Sequence, residues 1–152
     1  MNILMVCLGN ICRSPLAEGI LQHKINQFQL PWRVDSAGTG SWHIGDPPDP
    51  RSILVAQKNG IDISQQRARQ FSVNDFENFD WILAMDFQNK KDILYKARTP
   101  EHSKKVKMIM EFTPHTPSKD VPDPYWDDDG FEKVYQMLNQ AIHAMIEKFQ
   151  KP

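Results

Sequence analysis

Short apolar runs alternate with amphipathic stretches along most of this chain. Segments 2–6, 32–37, 81–85 and 106–110 have the length and residue content of strands, and most of their residues are apolar. Between and after them, apolar residues recur at spacings of three and four, which predicts helices. Five helices are predicted. The first covers 15–27, the second runs from Pro50 to about 59–60, and the third follows an N-cap at Ser72 and ends before 80. The fourth includes 93–94, and the last spans 131–149.

The order of these elements defines a fold class. Strands that alternate with helices form a parallel sheet through right-handed crossovers, with helices on both faces. The sequence therefore predicts an α/β protein with a doubly wound parallel sheet. Ligands of such sheets bind beyond the C-terminal strand ends, beside the switch in strand order. Cys7 directly follows the first predicted strand, so a site is expected there.

Composition narrows the domain count and the function classes. A chain of 152 residues fits a single domain, 1–152, and the proline-rich segments 45–50, 113–118 and 121–124 are short enough to be surface loops. The formal net charge of −1 argues against a nucleic-acid or anionic-membrane surface. No apolar stretch approaches the ~20 residues of a membrane span, and the N-terminus does not resemble a signal peptide. Because the two cysteines do not make a secreted disulfide framework, a cytoplasmic location is expected.

Residues 7–14 carry the strongest chemical signal in the chain. They read Cys7-Leu8-Gly9-Asn10-Ile11-Cys12-Arg13-Ser14 and connect the first strand to a helix. Backbone N–H groups that converge at a helix N-terminus form an anion-binding nest, and a guanidinium pairs with two phosphate oxygens at once. The same field favours the thiolate form of Cys7. A thiolate beside an oxyanion cradle predicts phosphoryl transfer to cysteine.

The spacing between Cys7 and Arg13 is a weak signal by itself. A buried cysteine at a strand end and a solvated arginine at a helix start are the competing interpretation. The local context favours catalysis, because Ser14 is a good N-cap, Pro15 suits the first helical position, and Glu18 is expected in the first turn. A strand, a tight loop and a capped helix are the geometry that phosphate binding requires.

Asp123 is the strongest candidate for a general acid. Expelling an alcohol from phosphorus requires a proton for the leaving oxygen, and a positioned acid contributes ~10²–10⁴-fold. Pro122 and Pro124 stiffen the loop around Asp123, although an Asp-Pro pair that only starts a turn fits the spacing equally well. Residues 127–129, all aspartates, are expected to cap the last helix. The five histidines are scattered and form no constellation.

Three aromatic residues lie in loops that are rich in glycine and proline. Trp42, Tyr125 and Trp126 are awkward to bury in such loops. A flat aromatic substrate ring would stack on them, with ~0.5–1.5 kcal/mol for each pair beyond area burial. Packing of one loop on another accounts for the same residues equally well.

Five segments carry motifs that are recognisable together and in order along the chain: 6–15 with Ala17-Glu18, 32–38, 68–70, 84–86 and 123–125. These motifs resemble those of the low-molecular-weight protein tyrosine phosphatases. The resemblance implies a four-stranded parallel sheet flanked by helices. It also implies hydrolysis of phosphotyrosine in proteins through a phosphocysteine, with neither a metal nor a cofactor. Phosphotyrosine-containing proteins are the implied partners, phosphate and other oxyanions the implied inhibitors, and a monomer is expected.

The resemblance also implies a role for each site residue. Cys7 is then the nucleophile, Arg13 holds the phosphate through the transition state, and Asp123 is the acid and later the base toward water. Leu8, Gly9, Ile11 and Cys12 belong to the loop that surrounds the phosphate. Asn10 and Ser36 match positions that brace that loop, and Ser14 matches one that hydrogen-bonds the cysteine sulfur. Trp42, Tyr125 and Trp126 match an aromatic rim that binds the substrate, and Ser36 and Glu18 are the supporting residues.

Three departures bear on the alternatives. Many relatives pair the glutamate matching Glu18 with a histidine, and this chain has Gln65-Gln66 at that place. Thioredoxin-coupled arsenate reductases relay a disulfide to a distant cysteine, and the absence of any cysteine after Cys12 argues against that redox class. Relatives that act on phosphoarginine carry threonine where this chain has Ile11, which favours phosphotyrosine over phosphoarginine, its nearest rival.

Overall fold

A four-stranded parallel sheet forms the centre of the protein. The computed structural model describes residues 1–114, 116 and 118–151. Every strand pair is parallel, and the strand order is β2-β1-β3-β4, which confirms the predicted α/β class. The strands are β1 (Asn2–Cys7), β2 (Arg33–Gly38), β3 (Trp81–Ala84) and β4 (Val106–Met108).

Helices connect the strands and cover the sheet. Apolar residues of the first, second and last α-helices pack on one face, and those of the third and fourth pack on the other. In chain order the α-helices are α1 (Arg13–Phe28), α2 (Pro50–Lys58), α3 (Asp75–Asn78), α4 (Phe87–Tyr95), α5 (Pro100–Lys104) and α6 (Gly130–Gln150), with 3₁₀ turns at Ile109–Phe112 and Pro124–Trp126.

The central strand β1 is buried on both faces. Successive side chains of a strand point to opposite sides, and Ile3 and Met5 join the cluster with α1, α2 and α6, whereas Leu4 and Val6 join the cluster with α3 and α4. None of these four side chains is exposed to solvent. Burial on both faces explains why this segment is apolar without alternation.

The switch in strand order falls at β1. The chain passes from β1 to the edge strand β2 and then crosses back over β1 to β3. Because Cys7 is in register with Gly38, and Val6 with Ala84, the ends of the three strands open onto the same edge. A Cβ on Gly38 would lie 2.7 Å from the carbonyl oxygen of Leu8, so a glycine is needed where the segment after β1 packs against β2.

The start of α1 differs from the prediction. The helix begins at Arg13, its N-cap position is Cys12 without a side-chain hydrogen bond, and Ser14 is therefore not the cap. Instead, the Ser14 hydroxyl is used inside the preceding loop. No acidic residue lies in the first turn, so Glu18 sits deeper in the helix than predicted. The first N–H groups of α1 are thus not covered by a capping side chain.

Three further boundaries differ from the predictions. Ser72 does not cap α3, because Asn74 is at the N-cap position and the Ser72 N–H donates to Asp75 Oδ2 at 2.9 Å. Strand β4 ends at Met108, since a 3₁₀ turn begins at the next residue. Asp129 holds the N-cap position of α6 but makes no capping hydrogen bond through its side chain.

The sequence prediction missed α5, although its signal is present. Thr99 accepts a hydrogen bond from the His102 N–H at 3.1 Å and Pro100 is the first helical residue, which is a standard helix start. Of the predicted loop 113–118, residues 115 and 117 lie outside the described part of the chain. Among the described residues, no helix has the length and apolar content needed to cross a membrane.

Candidate active site

Four carbonyl groups of residues 7–14, here called the phosphate loop, point outward to neighbouring segments. The carbonyls of Cys7 and Leu8 accept hydrogen bonds from Thr39 and Gly40, at 2.9 Å each, and the carbonyl of Ile11 accepts one from Asp49 at 2.8 Å. The Ser52 hydroxyl donates to the Cys12 carbonyl at 3.2 Å. In a trans peptide the N–H points opposite to the C=O, so the N–H groups that follow these carbonyls face the hollow of the loop. Such an array is an anion nest.

The sulfur of Cys7 lies at the base of this hollow and receives hydrogen bonds. The backbone N–H of Asn10 donates to Cys7 Sγ at 3.3 Å, and Ser14 Oγ is 3.0 Å from the same sulfur. Because Asn10 Nδ2 already donates to Ser14 Oγ at 2.8 Å, the hydroxyl hydrogen of Ser14 is free to point to the sulfur. Two donors directed at one sulfur stabilise a thiolate.

Asn10 holds the loop in shape from below. Its backbone is in the left-handed region, with φ at 58°, a conformation that asparagine tolerates better than most residues. Its Nδ2 also donates to Ser36 Oγ at 3.0 Å, and its Oδ1 accepts from the Arg69 N–H at 3.0 Å. Every polar atom of the Asn10 side chain is therefore occupied by a neighbouring segment, which fixes the turn.

Glu18 completes this network behind the loop. Its Oε1 accepts a hydrogen bond from Ser36 Oγ at 2.8 Å. Burial raises the pKa of Glu18 to about 7, aided by the nearby Asp35 carboxylate and opposed by the Ser36 hydrogen bond. Gln66, one of the two glutamines at the place where the resemblance implies a histidine, donates from Nε2 to the Pro15 carbonyl at 3.2 Å. The partner of Glu18 in this chain is thus a serine hydroxyl.

Arg13 is a buried cation that lies near three acidic side chains. Only 2% of the residue is exposed, and Nη1 donates to Asp86 Oδ2 at 2.6 Å and to the Val121 carbonyl at 3.0 Å. Nη2 lies 3.9 Å from Asp123 Oδ2. Burial works against the charge, but Cys7, Asp86 and Asp123 together hold the pKa of the guanidinium above its ordinary value. Arg13 therefore stays charged and aimed at the hollow.

Cys12 is chemically different from Cys7, although both cysteines are free and buried. Burial, together with the negative charges of Asp49 and Cys7, raises the pKa of Cys12 to about 12. The thiol of Cys12 therefore stays protonated at neutral pH. Cys12 is therefore a poor nucleophile at neutral pH.

A cleft of about 290 Å³ opens above the Cys7 sulfur. Trp42 and Trp126 stand at its rim with 72% and 89% of their surface exposed, so they are available to a ligand rather than packed on each other's loops. Asn10, Ser14, Ser36 and Glu18 form the hydrogen-bonded layer beneath it. The remaining predicted site residues line the cleft together: Cys7, Leu8, Gly9, Ile11, Cys12, Arg13, Trp42, Asp123, Tyr125 and Trp126.

Sequence reasoning missed three residues at this site. His43 lines the cleft and its Nδ1 is 3.1 Å from Asp46 Oδ2, but a histidine three positions before an aspartate gave no signal. Asp86 lay in a matching motif without an assigned role, and it both pairs with Arg13 and caps α4. Arg51, in α2, donates a hydrogen bond to the carbonyl of Tyr125, 74 positions later in the sequence. Among the described residues, no group of His, Cys, Asp and Glu side chains could hold a metal ion.

Known proteins resemble this chain over nearly its full length. The family model for the low molecular weight phosphotyrosine protein phosphatases matches residues 2–152. The low molecular weight phosphotyrosine protein phosphatase of Schizosaccharomyces pombe is 44% identical over 142 residues, which are 90% of this chain and 89% of that protein.

Two solved structures are similar in fold. The protein tyrosine phosphatase of Entamoeba histolytica, crystallised with Hepes in the active site, has a TM-score of 0.93 and 35% identity, and covers 99% of this chain and 97% of its own. An arginine phosphatase of drosophila has a TM-score of 0.94 and 31% identity, with 99% of both chains covered.

The chain therefore belongs to the low molecular weight phosphotyrosine protein phosphatase family. The resemblance inferred from its sequence is confirmed, and the protein is a phosphatase, an enzyme of the hydrolase class.

Glu18→Gln tests the buried carboxyl behind the phosphate loop. A carboxyl whose pKa is raised by folding favours the native state below its unfolded pKa and loses that contribution as the pH rises through its folded pKa of about 7. Relative to the glutamine variant, the native protein should lose about 1–3 kcal/mol of unfolding free energy between pH 5 and pH 8. Urea unfolding at both pH values measures this difference. Glu132→Gln, on the exposed side of α6, is the control, and an equal pH dependence of both variants would contradict the assignment.

Proposed function

We propose that this enzyme hydrolyses phosphotyrosine in proteins, and small aryl phosphates, through a phosphocysteine on Cys7. The observation that carries the proposal is the convergence on one hollow of inward N–H groups, the buried Arg13 guanidinium and the hydrogen-bonded Cys7 sulfur. A phosphoryl group held there has positive partial charge around its oxygens and a nucleophile behind its phosphorus. Arg13 pairs with two of these oxygens as its planar fork allows.

In the first step, the Cys7 thiolate attacks phosphorus and the bond to the tyrosine oxygen breaks. The departing electron pair takes a proton from Asp123, so the phenol leaves neutral. The Asp123 carboxyl is positioned for this task, because Tyr125 N–H holds its Oδ1 at 3.1 Å while Oδ2 faces Arg13 across the cleft. Tyr125 and Trp126 offer aromatic surface to the substrate ring on the same side.

In the second step, water attacks the phosphocysteine and Asp123 takes its proton. The sulfur–phosphorus bond breaks, phosphate forms, and the electron pair returns to the sulfur as a thiolate. The Ser14 hydroxyl and the Asn10 N–H stabilise that leaving thiolate as they stabilise the attacking one. The protons balance, since Asp123 gives one to the phenol and recovers one from water.

Phosphoarginine is the second candidate substrate, because an arginine phosphatase is among the similar structures. Its guanidinium N–H groups would need acceptors beside the phosphate. Ile11 lines the cleft with an apolar side chain, so such N–H groups would be left unpaired there at a cost of ~1–3 kcal/mol each. An aromatic ring, by contrast, packs on Ile11 and on the aromatic rim. Phosphotyrosine is therefore the favoured substrate.

Cys7→Ser tests the nucleophile. Turnover of phosphotyrosine should fall to a trace, while vanadate or phosphate still binds, because the loop N–H groups and Arg13 remain. Steady-state kinetics and calorimetric titration measure the two properties. Cys12→Ser is the matched control and should retain turnover. Substantial activity in Cys7→Ser would show that the sulfur is not the attacking group.

Asp123→Asn tests the acid. The value of kcat/KM for phosphotyrosine should fall by ~10²–10⁴-fold, and an aryl phosphate with a more acidic phenol should lose less, because its leaving group needs no proton. Asp129→Asn, an exposed neighbour without a capping hydrogen bond, is the control. Equal losses for both substrates would assign a structural role to Asp123.

Ile11→Thr tests the substrate class. The native enzyme should prefer phosphotyrosine to phosphoarginine and phosphoserine, and the hydroxyl should move the kcat/KM ratio toward phosphoarginine by about tenfold, as one hydrogen bond allows. Ile44→Thr, on an exposed residue outside the cleft, controls for the same chemical change. A native preference for phosphoarginine would overturn the substrate and leave the cysteine mechanism in place.

A further inference from the structure

The guanidinium of Arg51 binds two separate segments at the rim of the cleft. Its Nε and Nη2 donate to Asp49 Oδ1 and Oδ2 at 3.0 and 2.8 Å, and Nη2 also donates to the Tyr125 carbonyl at 3.0 Å. Nη1 donates to Asp128 Oδ1 at 2.5 Å. The charge lies 4.5 Å above the centre of the Phe131 ring. The pKa of Asp49 is lowered, mainly by its hydrogen bonds from Arg51, so the pair is ionic.

One side of this contact is fixed to the phosphate loop. The Asp49 N–H donates to the Ile11 carbonyl, and the Asp49 side chain caps α2 through the Arg51 N–H at 2.8 Å. The hydroxyl of Ser52, in the first turn of α2, donates to the Cys12 carbonyl. The start of α2 therefore moves only together with the loop that holds the phosphate.

The other side of the contact carries Asp123. The 3₁₀ turn Pro124–Trp126 follows it directly, and the Tyr125 N–H is the donor that orients the Asp123 carboxyl. Before Asp123, the chain is anchored by the hydrogen bond from the Val121 N–H to the Met85 carbonyl at 2.8 Å. After Asp123, the chain is anchored at Tyr125, because Arg51 donates to the Tyr125 carbonyl while the Tyr125 N–H donates to Asp123.

We propose that Arg51 is a positioning residue, which holds the Tyr125 turn and thereby keeps the Asp123 carboxyl above the Cys7 sulfur. The inference rests on the proposed role of Asp123 as the acid. Arg51 does not touch the reacting atoms, and it acts by joining the acid segment to the phosphate loop through Asp49. Its loss should therefore affect proton transfer to the leaving group more than binding of the phosphate.

Arg51→Met removes the donors and retains much of the side-chain volume over Phe131. We expect kcat/KM for phosphotyrosine to fall about 10- to 100-fold, as misplacement of a catalytic group does, and kcat/KM for an aryl phosphate with an acidic phenol to fall much less. The double variant Arg51→Met/Asp123→Asn should be no slower than Asp123→Asn alone, because Arg51 acts through Asp123. Vanadate affinity should stay close to that of the native enzyme.

Two further variants complete the test. Arg51→Lys keeps a positive charge opposite Asp49 but has fewer donors. Its loss in kcat/KM should be smaller than that of Arg51→Met, with the same difference between the two leaving groups. This variant replaces Arg51→Met in the test if the latter does not fold. Arg67→Met is the control, because Arg67 is exposed and donates to carbonyls of its own loop.

Equal losses for the two substrates, or additive losses in the double variant, would reduce Arg51 to a structural residue. If Asp123→Asn itself lacks the leaving-group pattern, the assignment of the acid fails, and the role of Arg51 fails with it.

Discussion

A loop that turns its N–H groups toward one point has to place its carbonyl groups elsewhere, and the architecture around residues 7–14 follows from that requirement. The outward carbonyls of Cys7 and Leu8 are taken up by the residues that follow β2, and those of Ile11 and Cys12 by the start of α2. Each buried carbonyl without a partner would cost ~2–7 kcal/mol. The neighbouring segments therefore hold the N–H groups of the loop open toward an anion. A capped helix end would not do so, because its capping side chain would occupy the first N–H groups.

The same requirement explains the side chains beneath the loop. Convergent N–H dipoles and the buried Arg13 guanidinium create a positive centre, and the sulfur of Cys7, Asp86 and Asp123 surround it with negative charge. The side-chain amide of Asn10 stabilises the turn and donates a hydrogen bond to Ser36, whose hydroxyl in turn donates to Glu18. The hydrogen bonds that hold the Cys7 sulfur and the Arg13 guanidinium thus come from residues that do not line the cleft.

The fold was largely predictable because its pattern is local. Strands buried on both faces read as apolar runs, and α6 shows its apolar positions at helical spacing, so both were found from periodicity. The exceptions have a common cause. Ser14 and Ser72 are both good N-caps by residue type. The Ser14 hydroxyl, however, is hydrogen-bonded to Cys7 and Asn10, and the Ser72 N–H donates to the Asp75 side chain. Hydrogen bonds with residues three to seven positions away therefore override the capping propensity of the two serines.

The sequence by itself determined which residues form the candidate phosphate loop, because the proposed nucleophile, the backbone donors and the guanidinium all lie within eight consecutive positions. It also indicated Asp123, although only as one of two readings of an Asp-Pro turn. The tertiary structure alone decided that Asp123 faces Arg13, that Asp86 neutralises part of the Arg13 charge, and that Arg51 reaches Tyr125. These contacts join residues 73 to 110 positions apart, and no local spacing encodes which strand ends meet at one edge of a sheet.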